Sequence, residues 1–171
     1  MAWVEASASI AASIDAAWGA MLAFDEYAAW NPFIVRIERR SQGPARVGDE
    51  LILHVRWSDG RGVASHERIT RIEPPARDGE ILRAALEYEF RGPLAALGLV
   101  RGRRLQTLEQ GPGGPTLYRS RERLHGLLAR LAPIGAVQDG FERHAAALAA
   151  FVEARSASPA MGVAGRMVPG A

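Results

Sequence analysis

Cysteine and lysine are both absent from this chain of 171 residues. Without cysteine the protein can form no disulfide framework, no thiolate nucleophile and no cysteine-ligated zinc site. All 21 basic residues are arginine, a bias typical of a GC-rich genome, and the formal net charge is only +2. So weak a basic balance does not indicate a nucleic-acid partner, and we expect none.

Long apolar runs are missing as well. No stretch reaches the roughly 18 consecutive apolar residues that a transmembrane helix needs, so none is expected. The N-terminus has neither the basic start nor the apolar run of a secretory signal, which favours a cytoplasmic protein. Hydrophobic residues nevertheless make up 48% of the chain. A chain of this length can bury one core without disulfides or metals.

A period of two recurs along most of the chain and predicts about seven strands, which short turns make antiparallel. The first strand is expected over residues 3–10, and two short helices follow it over 14–24 and 25–30. The second helix ends at Asn31, because the residue before Pro32 avoids the helical region. The remaining strands are expected over residues 33–40, 51–57, 62–73, 82–91, 101–110 and 116–125.

One strongly periodic helix is expected near the C-terminus. The apolar residues that recur there at helical spacing are Val137, Phe141, Ala145, Leu148 and Val152. A helix of roughly 20 residues spans about 30 Å, which is long enough to cover the concave face of a curved sheet. The pattern therefore predicts an α+β helix-grip domain over residues 1–155 with an internal pocket. Residues 156–171 have no period and are expected to form a disordered tail.

Residues 24–34 (FDEYAAWNPFI) resemble a recurrent signature of the START-like (SRPBCC) superfamily. The similarity is to the branch named polyketide cyclase/dehydrase and lipid transport. Supporting segments are RVG at 46–48, EPP at 73–75 and ERLHGLL at 122–128. The resemblance covers roughly residues 1–154 and implies a helix-grip fold, which also characterises birch-pollen-allergen-like proteins.

Members of this superfamily include lipid and sterol carriers, hormone receptors, polyketide cyclases and aromatases, so the fold leaves the activity open. We expect a carrier or sensor of a small hydrophobic ligand that is lipid-, polyketide- or aromatic-like. The alternative is a cyclase/aromatase- or aldol-type enzyme that uses the same cavity. A third possibility is an accessory protein that docks through residues 92–99. We expect no metal, no redox cofactor, and a monomer or homodimer.

Alternation along the strands identifies the residues that should face the cavity, although the same residues could form an ordinary core. The expected lining is Trp30, Phe33, Val35, Leu51, Leu53, Val55, Leu86, Tyr88, Phe90, Tyr118, Ser120, Glu122, Val137 and Phe141. Tyr118, Ser120 and Glu122 lie opposite a row of arginines on the last strand and would form a polar wall.

Glu122 and Tyr118 are the candidate catalytic residues. Burial raises the pKa of a carboxyl group, and a raised pKa suits a general acid or base. The alternative is that Glu122 pairs with a buried arginine or binds backbone groups near the end of the strand. A single carboxylate without a partner in a defined position does not constitute a mechanism.

The other polar residues do not indicate a particular catalytic or metal site. The four histidines have no metal-binding spacing, and His144 is interpreted as lying off the apolar face of the long helix. His66 and Glu67 are neighbours on one strand, so at most one of them faces inward. The run RGRR at 101–104 is interpreted as a solvated strand face, with an anion site as the alternative.

Overall fold

The structure is a computed structural model and describes residues 2–92, 95, 97, 99, 101–126 and 133–158. The strands are β1 (Ala2–Ile10), β2 (Ile34–Arg39), β3 (Glu50–Arg56), β4 (Gly62–Asp78), β5 (Ile81–Phe90), β6 (Arg101–Gln110) and β7 (Thr116–His125). The helices are α1 (Ile14–Leu22), α2 (Tyr27–Trp30) and α3 (Ile134–Ala157), and a 3-10 turn over Phe24–Glu26 precedes α2.

The seven described strands form a single antiparallel sheet in the order β1-β7-β6-β5-β4-β3-β2. Alternation holds best in β7, where Thr116, Tyr118, Ser120 and Leu124 are buried, Glu122 on the same face is half-buried, and Leu117, Arg119, Arg121 and Arg123 face outward. The long α3 packs against the inner face, and the short helices follow β1. The predicted α+β helix-grip class is therefore confirmed.

Helix α3 covers both the inner face and the free edge of the sheet. Its 24 residues extend about 36 Å, and the predicted apolar face is largely buried. Gln138 also binds the backbone of Glu5 in β1. Its Nε2 donates to the Glu5 carbonyl oxygen at 2.8 Å, and its Oε1 accepts from the Glu5 N–H at 3.2 Å. These bonds satisfy polar groups that an edge strand would otherwise expose.

The interpretation of His144 as lying off the apolar face was wrong, because its side chain is fully buried. His144 is three residues after Phe141 and four before Leu148, so all three share one face of the helix. A core-facing helix presents an apolar stripe wider than a single row of residues. The polar residue therefore lies within the buried stripe.

Two strands differ from their predicted course. A register shift between Ile34 and Arg36 buries Phe33 and Ile34 together and leaves Val35 only half-buried. Strand β4 does not end at residue 73 but continues through Pro74 and Pro75 at a second register shift. Pairing with β3 stops at Arg68, so the prolines, which have no N–H to donate, lie where only one edge of β4 is paired.

The chain termini and the β5–β6 connection are described in part. Helix α3 extends to Ala157, two residues into the segment expected to be a tail, while residues 159–171 lie outside the described residues. The connection 92–99, suggested above as a docking segment, is described only at residues 92, 95, 97 and 99. In the part of the chain that is described, no helix has the length and hydropathy needed to cross a membrane.

Candidate functional site

A cavity of about 280 Å³ lies between the sheet and α3. From the expected lining, the residues found in its wall are Phe33, Leu53, Val55, Tyr88, Phe90, Glu122, Val137 and Phe141. The wall also contains Ile34, Trp57, Val63, Ala64, Ser65, Glu67, Arg104 and Leu124. The surface is mostly apolar and carries a few ionisable groups, as a small-molecule pocket usually does.

The other expected lining residues lie elsewhere in the core. Val35 is turned away from the cavity by the register shift in β2, which places Ile34 in the wall instead. Trp30 packs its ring against Phe151 of α3 at 5.5 Å. Leu51 and Leu86 are fully buried core residues. Tyr118 and Ser120 are buried too, and they bind other polar side chains of the core.

A larger cleft of about 550 Å³ lies at the β5–β6 end of the sheet, with Arg91, Arg101 and Arg123 among its charged walls. It borders the connection 92–100, much of which lies outside the described residues. We therefore assign the candidate site to the cavity beneath α3, where apolar walls enclose ionisable groups.

Arg104 on β6 is the unexpected residue of this wall. It is only 6% exposed, so the interpretation of residues 101–104 as a solvated face was wrong at this position. Its Nε donates to Ser120 Oγ at 3.0 Å, and its guanidinium carbon lies 4.2 Å from the centre of the Phe141 ring. Its Nη2 has no hydrogen-bond partner among the described residues. The cavity thus contains a fixed positive charge.

Two carboxyl groups face the same space from different strands. Glu67 on β4 accepts a hydrogen bond from Ser65 Oγ at 2.5 Å. Burial raises the pKa of Glu67 to about 8, and the nearby Glu122 adds to the rise. Burial also raises the pKa of Glu122, although the positive charge of Arg104 opposes this. At neutral pH Glu67 is therefore protonated and can donate a hydrogen bond to a bound molecule.

Tyrosines supply further polar groups around Arg104. Tyr118 donates its hydroxyl hydrogen to Gln106 Oε1 at 2.7 Å. Tyr88 lines the cavity, and its hydroxyl is buried with no partner in the described part of the chain. Burial raises the pKa of both tyrosines, so both remain neutral donors at physiological pH. Of the two candidate catalytic residues, Glu122 lies in the cavity wall and Tyr118 does not.

A buried Asn–His pair fixes the end of the cavity at Phe33. Asn31 Oδ1 accepts from the backbone N–H groups of Phe33 and Ile34 at 3.0 and 2.9 Å. This assigns its amide nitrogen to His144 Nδ1, 2.7 Å away. Nδ1 is then an acceptor and Nε2 carries the hydrogen. Burial and the charge of Arg104 lower the pKa of His144, so the ring is neutral. The pair locks the turn from α2 into β2 and thereby positions Phe33.

Sequence reasoning missed Arg104 and Ser65 and left open whether His66 or Glu67 faces inward, although a signal for each was present. The structure places Glu67 in the cavity wall and leaves His66 exposed. Arg104, Gln106 and Leu108 are alternate residues of β6 and therefore lie on the same face of the strand. Gln106 and Leu108 are buried. Ser65 and Glu67 likewise lie on the face of β4 that carries the buried Ile69. Extending the period of two through polar residues would have placed all three side chains inside. Among the described residues, no three His, Asp or Glu side chains lie close enough together to hold a metal ion.

A curved antiparallel sheet closed by one long helix over an internal cavity defines a helix-grip protein, a fold that binds hydrophobic ligands. The family model for "Polyketide cyclase / dehydrase and lipid transport" matches residues 1–154. The chain belongs to this family, as its resemblance suggested. No curated protein matches the sequence.

Solved structures with little sequence identity share the fold. The Zhui aromatase/cyclase from Streptomyces sp. R1128 has 16% identity and a TM-score of 0.70, with 91% of this chain and 95% of that chain covered. Major latex-like protein 151 from Panax ginseng has 12% identity and a TM-score of 0.65, with 92% and 98% covered. Norcoclaurine synthase from Thalictrum flavum has 16% identity and a TM-score of 0.55, with 91% and 96% covered.

Proposed function

We propose that the protein binds a small hydrophobic molecule, lipid-, polyketide- or aromatic-like, in the cavity beneath α3 and acts as its carrier or sensor. The observation that carries this proposal is the wall itself, in which aromatic and aliphatic side chains surround a few polar groups. Its volume of about 280 Å³ lies near the lower end of the range of about 300–1,000 Å³ for ligand pockets. The occupant is therefore small and largely apolar.

Filling the cavity tests this function. Val137 is half-buried on α3 and lines the cavity, so Val137→Trp should occupy ligand space without overpacking the deeper core. Native mass spectrometry of protein purified from its own source should show a bound mass in the wild type and at least tenfold less of it in this variant.

The matched control is Leu117→Trp, on the outer face of β7 at a side chain that is 53% exposed. This variant should retain the ligand. The carrier or sensor function would be rejected if the wild type carried no ligand, or if Val137→Trp retained it as fully as Leu117→Trp.

A second candidate function is acid–base catalysis of the cyclase/aromatase or aldol type. One observation favours it: Glu67, with a pKa of about 8, would exchange a proton near neutral pH while facing Glu122 in an apolar space. Glu122→Gln should then abolish turnover of the co-purified molecule by at least about a hundredfold and leave its binding intact. If mass spectrometry detects no conversion by the wild type, the protein is a binder only. If Glu122→Gln converts the ligand equally fast, Glu122 is not the catalytic group.

A further inference from the structure

Arg104 is a buried cation that forms no ion pair with a carboxylate in the described part of the chain. None of the ion pairs formed by the described residues includes it. Its contacts are with neutral groups, namely the hydroxyl of Ser120 at Nε and the face of the Phe141 ring. One side of its planar fork, at Nη2, is left without an acceptor.

Such a charge is costly to keep in an apolar interior. A desolvated guanidinium needs an anion or several acceptors to offset the water it has lost. The ring of Phe141 and one hydroxyl offset only part of this cost. Because Arg104 lines the cavity, a molecule bound there can supply an acceptor to the exposed part of the guanidinium. The guanidinium fork is suited to binding a carboxylate or another oxyanion.

The carboxyl groups of the protein do not fill this role. Glu122 lies directly opposite Arg104 in the β6–β7 register, yet the two side chains form no ion pair. A Cβ added at Gly102 would lie 2.9 Å from Glu122 Oε1, so this carboxyl group turns toward the backbone of Gly102. Glu67 holds its proton at neutral pH and adds no negative charge.

The remaining titratable groups near Arg104 are neutral as well. Tyr88, Tyr118 and Tyr27 face it from β5, β7 and α2, and burial raises the pKa of each. His144 faces it from α3 and is uncharged, because its pKa is lowered. Glu122 is then the one nearby group of those named here that can carry a negative charge, and its carboxyl group forms no ion pair with Arg104, so a ligand with one negative group would complement the guanidinium.

We propose that the ligand of this cavity is an apolar molecule bearing a single oxyanion, a carboxylate or the ionised hydroxyl of a phenol or enol, which pairs with Arg104. The inference rests on the proposed ligand-binding function and specifies its ligand class. The apolar body contacts the aromatic and aliphatic wall, while the oxyanion accepts from the Arg104 guanidinium where it lines the cavity. Protonated Glu67 also lines the cavity and is a further donor for the same group.

Matched naphthalene probes test this ligand class by calorimetric titration at pH 7. They share one apolar body and differ in the attached group: 2-naphthoate, 2-naphthol, 2-naphthalenemethanol and the ammonium ion of 2-naphthylmethylamine. We expect 2-naphthoate to bind at least about tenfold more tightly than the neutral alcohol, as charge-assisted hydrogen bonds permit, and the ammonium ion to bind most weakly. Whether 2-naphthol releases its proton on binding separates the phenolate from the carboxylate as the preferred group.

Arg104→Met keeps an unbranched apolar side chain and removes the charge. It should weaken 2-naphthoate binding at least tenfold and leave the alcohol within about threefold of wild type. Alcohol binding also shows that the cavity of the variant is folded. Arg103→Met is the matched control, because Arg103 is the outward-facing neighbour on the same strand, and it should change neither affinity. Arg104→Lys should restore part of the preference for the anion.

The outcomes separate the two proposals. If none of the probes binds to the wild type, the ligand-binding function fails, and the ligand class fails with it. If the alcohol binds as tightly as 2-naphthoate, or if Arg104→Met leaves 2-naphthoate binding unchanged, only the ligand class fails. Preference for the ammonium ion, or a tenfold loss of 2-naphthoate binding in Glu122→Gln, would assign recognition to the carboxyl groups instead and overturn the role of Arg104.

Discussion

Replacing Gly140 by alanine should destabilise the protein by about 3 kcal/mol and distort the cavity. Gly140 lies in the second turn of α3, and a Cβ at this position would come closer than 3.0 Å to three carbons of the Phe33 ring. That ring is held between Trp57 at 5.7 Å, Phe141 at 6.1 Å and the Arg143 guanidinium at 5.8 Å. Because Phe33 lines the cavity, any shift of its ring changes the ligand space.

A loss of stability would be the opposite of the usual effect, because alanine in an exposed helix interior is normally more stable than glycine by about 1 kcal/mol. The control is Gly19→Ala in α1, where an added Cβ would meet no described atom within 4 Å. Urea unfolding followed by circular dichroism should show a loss for Gly140→Ala and a gain of about 0.5–1 kcal/mol for Gly19→Ala. Equal gains in both variants would refute the tight contact between Gly140 and Phe33.

Glu67→Gln should stabilise the protein by up to about 5 kcal/mol at pH 9, at about 1.4 kcal/mol per pKa unit, and by almost nothing at pH 4. The pKa of Glu67 is raised from 4.5 to about 8 on folding. Below pH 4.5 both states hold the proton. Between the two values the unfolded chain releases it while the folded protein keeps it, so stability falls as the pH rises. Above pH 8 the folded protein also releases this proton, and the free-energy cost of burying the charged Glu67 carboxylate has reached its full value.

Glutamine does not titrate, and its side-chain carbonyl can still accept the hydrogen bond from Ser65. The stability difference between variant and wild type should therefore increase steadily from pH 4.5 to 8, as measured by urea unfolding at several pH values. Glu73→Gln on the same strand is the control. Hydrogen bonding to Arg71 lowers the pKa of Glu73, so this change should cause a small loss at neutral pH that disappears in acid. A pH-independent difference for Glu67→Gln would show that Glu67 titrates normally.

The fold could be predicted from the sequence because its elements are periodic. Strand β7 alternates through ten residues, and the apolar face of α3 repeats at helical spacing, so each pattern fixes which side of its element is buried. Glu122 and Phe141 were placed in the cavity wall in this way. Their role in ligand binding remains a prediction.

The centre of the site could not be predicted as readily, because it depends on contacts between strands. Arginine is usually solvated, and that general tendency was given more weight than the alternation that places Arg104 inside. For Glu67, the alternation alone did not decide between it and its neighbour His66. The register shift in β2 places Ile34 rather than Val35 in the cavity wall, and nothing in the local sequence pattern predicts this shift. His144 depends on Asn31, 113 residues away, and a single sequence does not report so distant a pair.

The position of β1 in the sheet has a consequence for how the chain folds. Its partner strand is β7, with Ala2 opposite Leu124 and Ile10 opposite Thr116, and its other edge is covered by Gln138 of α3. Contacts of such long sequence separation form late and slow the search for the native state. During synthesis β1 leaves the ribosome before the other strands of the domain and can pair only after β7 has followed it. The cavity is therefore completed only when the two ends of the domain meet, and a nascent chain that stops before α3 contains no finished binding site.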